Sequence, residues 1–184
     1  MEAKIMNNYA RITLIFVMGV ALLLSTACTT PKIWISSPVA QTAGNPHYEA
    51  KIEPLKDGNK FFVSFRLVVI NRTDKNMTVD WNKTRYLYND RTHGVFVFEG
   101  IRPEDIKNLT IPADKIVSGQ SFSKVISPYK LLARAPIKDR YTDKPVISPG
   151  IMPNGKNGIY LVVRQNGNEI TEKMSVNIKE KEFQ

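Results

Sequence analysis

The 184-residue sequence predicts an all-β chain whose folded part is a β-sandwich. Three observations carry that prediction. Apolar and polar residues alternate with a period of two in several separate runs, which gives each run one face for a core. The pair Asn166-Gly167 sits between two such runs and suits the two-residue turn of a β-hairpin. Beyond residue 28 no long run repeats apolar residues at helical spacing. Short strands at turn-rich intervals, without a long helix, pack as two sheets face to face.

The N-terminal segment is of a different kind. Lys4 and Arg11 precede the apolar run Ile12–Leu24, and Ser25, Thr26 and Ala27 lead to Cys28, the one cysteine in the chain. A positive flank, a short apolar run and a small-residue cleavage site are the parts of a secretory signal. The run falls short of the roughly 20 residues that a spanning helix needs. A helix begun at Tyr9 would lengthen it and leave an uncleaved anchor as the alternative. A lone cysteine in an exported chain cannot close an internal disulfide.

These residues resemble the signal of bacterial lipoproteins. In that family a small residue precedes a cysteine whose thiol takes a diacylglyceryl group, and cleavage frees its amine for a further acyl chain. Ala27 and Cys28 fit the pattern, while Ser25 stands where the family usually has Leu, with Leu24 one place early. The resemblance covers residues 1–28. It implies a signal peptide over 1–27 and a membrane anchor through lipid on Cys28; two acyl chains hold a protein stably where one does not. Thr29 replaces the Asp that retains enterobacterial relatives at the inner membrane, which by the same resemblance points to the outer membrane in a host that has one.

Removing residues 1–27 takes away Lys4, Arg11 and Glu2 and leaves 24 Lys and Arg against 16 Asp and Glu, a net charge of +8. That balance favours anionic neighbours such as lipid headgroups or acidic polymers. Nucleic acid is set aside as a partner, because an export signal sends the chain away from it and no dense Lys/Arg cluster occurs. Four Asn-x-Ser/Thr triplets begin at Asn71, Asn76, Asn82 and Asn108; in a chain with a bacterial signal they read as polar residues of turns and strand ends.

Residues 28–47 read as a disordered tether, because Pro31, Pro38, Gly44 and Pro46 fall among small polar residues. Within it, Trp34 and Ile35 can dock on the domain or dip into a membrane interface. The sandwich then occupies 48–184. Lys60–Asn71, "KFFVSFRLVVIN", has apolar residues at every odd position from Phe61 to Val69 and predicts a long central strand. A polar turn follows, and Met77, Val79 and Trp81 share the core face of the next run. Tyr86 and Tyr88 share a face of "RYLYN", which pairs with "VFVFEG" across a loop closed by Gly94. "RPEDIKN" predicts a single helical turn begun by Pro103, and Pro128–Ala133 another. Five prolines between Pro128 and Pro153 make that stretch loop and edge. At the C-terminus the Asn166-Gly167 turn pairs Gln165 with Asn168, Val163 with Ile170 and Ile159 with Met174, and sets Glu172 opposite Leu161 at a sheet margin or a bulge. The run from Phe61 to Trp81 loosely resembles the central strands of immunoglobulin-like domains in uncharacterised bacterial lipoproteins, which implies that topology and no known activity.

Candidate chemistry is sparse. The two histidines, His47 and His93, fall in the tether and in a hairpin loop. Ser118-Gly119-Gln120-Ser121 lacks the Gly-x-Ser-x-Gly form of a nucleophile elbow, and Gly155-Lys156 follows no phosphate loop. Glu99, Glu104 and Asp105 read as residues around a helix start. No enzyme activity, cofactor or metal is expected, and an unrecognised hydrolase is the alternative. The expected role is a binding or scaffold module of the bacterial cell envelope, with the membrane and another envelope protein as partners. Lys130, Arg134, Lys138, Arg140 and Lys144 form a basic segment available to an anionic surface, either lipid or acidic glycan.

Overall fold

A computed structural model describes residues 32–58, 60–138, 141 and 145–182. The expected signal peptide and Cys28 lie outside them. The strands are β1 (Lys32–Ser37), β2 (Gln41–Gly44), β3 (Tyr48–Asp57), β4 (Phe61–Asn71), β5 (Met77–Val79), β6 (Arg85–Tyr88), β7 (Arg91–Thr92) and β8 (Phe96–Val97). After the helix α1 (Pro103–Asn108) come β9 (Asp114–Ile116), β10 (Ser121–Pro128), β11 (Arg134–Lys138), β12 (Pro145–Ser148), β13 (Gly155–Gln165) and β14 (Asn168–Glu182).

Two antiparallel sheets pack against each other. One runs β1-β14-β13-β5-β9, with β6 also on β13 and β7 on β6; the other runs β2-β3-β4-β10-β8. Because β14 takes one edge of β13 along its full length, β5 and β6 share the other edge, end to end. The neighbours β3-β4-β10-β8 opposite β14-β13-β6 follow the A-B-E-D and G-F-C order of a constant-type immunoglobulin sandwich. Phe65, Leu67 and Val69 of one sheet meet Ile159, Leu161, Met174 and Val176 of the other in a single buried cluster. Burying each such side chain contributes about 1.5–3 kcal/mol.

The C-terminal hairpin has the register its turn dictates: Gln165 opposite Asn168, Val163 opposite Ile170, Ile159 opposite Met174. Asn166 and Gly167 both have positive φ, 51° and 80°, as a type I′ turn requires. Glu172 lies at a sheet margin, where the Asn45 amide of the other sheet donates to it at 3.0 Å.

Four expectations need correction. Residues 32–44 are not tether: β1 pairs with β14 from Lys32 to Ser37, and β2 pairs with β3. The partner of β1 lies far along the chain, while β2 forms a local hairpin with β3 that Gly44 and Pro46 disguised as tether. The odd-position face of β4 does not hold throughout, because Val63 is an extra residue between the pairs Leu55–Ser64 and Lys56–Phe62. This bulge turns Phe62 to the core and Phe61 away from it. The pairing of "RYLYN" with "VFVFEG" gives way to a tighter hairpin, β6–β7, turned at Asn89 and Asp90 with φ of 48° and 62°. Short polar side chains tolerate that left-handed geometry, and Phe96 and Val97 are thereby released to pair with β10 in the other sheet. Finally, the proline-rich basic stretch contains a two-stranded ribbon, β11–β12.

Candidate functional site

The registers gather named residues at the two ends of the sandwich. Lys32 pairs with Glu182 beyond the last β13–β14 pair, Gly155–Ile178, and Asp57 pairs with Phe61 at the same end. The Trp34 ring meets the Phe61 ring edge-on at 5.8 Å and ties the two sheets together there. Tyr48, Asn71 and the Val117–Gln120 turn mark the opposite end, where the Asn71 amide donates to the Val117 carbonyl at 3.2 Å.

From the Trp34–Phe61 contact toward mid-strand a groove of about 490 Å³ opens between β1 and β3, lined among others by Trp34, Ile35, Val39, Leu55, Lys56 and Phe62. The β4 bulge builds it, since Phe61 supports Trp34 from one side while Phe62 supplies a wall. Lys56 Nζ sits 5.2 Å from the centre of the Phe62 ring, a cation–π distance. Val39 stands at the rim with 75% of its surface in water. Close by, the Met152 N–H donates to the Phe62 carbonyl at 2.8 Å and fixes the segment that carries exposed Ile151.

The basic segment leaves the sandwich from β10. The Tyr129 N–H donates to the Val95 carbonyl at 3.0 Å, and one 3₁₀ turn, Tyr129–Leu131, leads into β11. Lys130 and Arg134 are exposed. Among the described residues neither has an acidic partner; Arg134 Nε donates to Ser148 Oγ at 3.1 Å. Lys138 lies on β11, and Arg140 and Lys144 lie outside the described residues. A cavity of about 310 Å³ lies between the outer face of the β4–β10 sheet, at Ser64, Val125 and Ser127, and the flank of the ribbon, at Ile147 and Pro149.

Lys124 occupies an unusual position. It points inward from β10, which pairs with β8 only at Ser127 and Pro128 and so leaves its edge open from Ser121 to Ile126. Its Nζ lies 3.9 Å from the centre of the Phe98 ring and 5.7 Å from that of Trp81, and it forms an ion pair with Asp114. Trp81, 1% exposed, donates its indole N–H to Asp114 Oδ2 at 2.7 Å. Trp81 is thus a core residue, as its parity with Met77 and Val79 predicts. The inward charge also discourages another chain from pairing with this edge.

The remaining candidates are structural in their surroundings. The His93 ring packs edge-on against Tyr88 at 5.7 Å, and the Tyr88 hydroxyl donates to the Asn154 carbonyl at 2.9 Å. Tyr86 is buried and bonds Asn157; burial, and then the neighbouring Tyr88, hold its phenol well above the ordinary range. Among the described residues no group of three or more His, Cys, Asp or Glu could hold a metal ion. None of their helices is long and apolar enough to cross a membrane.

The groove between β1 and β3 was hidden in sequence because Val39 and its neighbours fell in the supposed tether. The short run Ile33-Trp34-Ile35, β-branched and aromatic, was the signal for a strand there. No protein-family model, curated protein or solved structure matches the chain.

Proposed function

We propose that the chain is a lipid-anchored exported protein of the bacterial envelope, its sandwich acting as a binding or scaffold module at the membrane surface. On this reading residues 1–27 are the signal peptide and Cys28 carries the lipid. Thr29 directs the protein to the outer membrane where there is one. A second envelope protein is its partner away from the membrane.

One observation supports the reading most. The first described strand, β1, begins at Lys32, four residues beyond the cysteine that the signal motif singles out. The pairing of β1 with β14 is independent of the motif, and it starts within a few residues of it. Cleavage before Cys28 would leave every one of the described strands in the mature chain.

Radiolabelled palmitate should enter the wild-type protein and should be lost in Cys28→Ser, with the labelled protein recovered in the membrane fraction. Equal labelling of both proteins would sink the reading.

A further inference from the structure

We propose that the β1–β3 edge of the sandwich, which starts at Lys32, rests in the headgroup layer of an anionic bilayer, with Val39 as its inserted residue. This rests on the anchor reading and adds to it an orientation and a lipid preference.

Reach comes first. Only Thr29, Thr30 and Pro31 separate Cys28 from β1. At about 3.4 Å per residue, the Cα of Lys32 lies no more than roughly 14 Å from that of Cys28. The headgroup layer of one leaflet is about 5–8 Å thick, the difference between the whole bilayer and its hydrocarbon core shared between two sides. A lipid on Cys28 therefore holds this edge of the sandwich against the headgroups, and no long tether lets it drift away.

Surface chemistry comes second. Val39 is 75% exposed, Ile151 is 49% exposed, and the half-buried Trp34 flanks the same groove. Trp favours the interfacial layer, where its ring meets both apolar and polar neighbours. The acids at this edge are partly neutralised: Glu180 pairs with Lys32 at 3.4 Å and Glu53 with Arg66 at 3.6 Å. Lys56 lines the groove and Lys60 follows the turn beside it, and among the described residues neither has an acidic partner. Cations around an apolar rim fit a surface of anionic headgroups over acyl chains. A peptide partner would need the groove free, and docking against lipid covers it.

The test uses the mature, lipidated protein in phosphatidylglycerol–phosphatidylcholine vesicles. Its own cysteine is acylated, so Val39→Cys supplies one thiol for an environment-sensitive dye, and Val117→Cys at the far end serves as control. Dye at position 39 should shift to the blue and be quenched by spin-labelled lipid, and dye at 117 should emit as in water. The shift should shrink in pure phosphatidylcholine, in high salt, and when Lys56 and Lys60 are changed to Gln. Flotation reads the anchor separately. Protein that floats with dye 39 emitting as in water overturns the docking and leaves the anchor standing. Protein that does not float overturns the anchor, and the docking falls with it.

Discussion

Tyr48 is fully buried, and among the described residues its hydroxyl has no hydrogen-bond partner. A buried polar group left unpaired costs about 1–3 kcal/mol. Tyr48→Phe removes the hydroxyl and leaves the ring, so it should be neutral or stabilising by about 1 kcal/mol. Burial, and then the charge of Glu172, hold the Tyr48 phenol well above its ordinary value of 10.0, and burial does the same for Tyr86. Below pH 10 both rings keep their protons in the folded and unfolded chain alike. Above it the unfolded chain ionises first, binds fewer protons and gains ground. Stability should therefore fall as pH rises beyond 10, by up to about 1.4 kcal/mol per pH unit for each tyrosine. Urea unfolding of wild type and Tyr48→Phe across alkaline pH reads both effects. A steeper alkaline loss in the variant would refute the assignment. Two asparagines illustrate the same scale with bonds made: the buried Asn71 amide donates to Lys75 O at 2.8 Å while its oxygen accepts from Thr73 N at 3.0 Å. Asn82 likewise brackets Ile111, donating at 2.9 Å and accepting at 2.8 Å. The Asn-x-Ser/Thr triplets at these two positions are spent on holding loops.

At the scale of elements, the hairpin β13–β14 sets two glycines apart. Gly167 needs its positive φ, yet a Cβ there would meet nothing within 4 Å. Gly158 has ordinary backbone, but a Cβ would lie 2.2 Å from the Met174 carbonyl oxygen and 2.8 Å from Ser175 Cβ. Gly167→Ala should cost about 1–2 kcal/mol, the penalty of a left-handed L-residue. Gly158→Ala should reach or exceed the upper end of the roughly 1–3 kcal/mol typical of overpacking, since the strands themselves must part. Midpoints of urea unfolding should rank wild type, Gly167→Ala and Gly158→Ala in falling order; the reverse order of the two variants would contradict the register. This hairpin was readable in the sequence because turn and strands are adjacent and the turn chemistry is specific. The helix α1 was readable for the same local reason, with Pro103 at its start. The bulge at Val63 was not, since only the partner strand reveals an extra residue. Neither was β1, whose fate is decided by β14 at the other end of the chain. The candidate site inherits this blindness: its apolar rim is built from β1, the bulge and the turn after β1. Lys130 and Arg134 were legible as charges, and the ribbon they lead into was not.

For the whole molecule, where the paired strands begin decides how far the sandwich could move from a lipid on Cys28, if the proposed anchor is right. A tether of some twenty residues would let the domain roam, whereas strand pairing from Lys32 onward would keep the β1 edge close to the proposed anchor. The two boundaries predict different behaviour on truncation. If residues 28–47 were tether, a chain beginning at Tyr48 would be as stable as one beginning at Lys32. In the structure, the shorter chain loses the partner of β14 from Asn177 to Glu182 and the strand that pairs with Lys51 and Ile52. It also loses Trp34, which packs on the core and on Phe61. Loss of this ring and the flanking isoleucines should cost at least about 3 kcal/mol, at 1.5–3 kcal/mol for each large apolar side chain returned to water. The newly bare edges of β14 and β3 should also make the shorter chain prone to associate. The measurement is the urea midpoint of both chains, with light scattering to follow association. Coincident midpoints would show that β1 and β2 are dispensable and would restore a long tether. A clear drop, with aggregation of the shorter chain, would fix the boundary at Lys32 and with it the short reach on which the membrane-facing orientation depends.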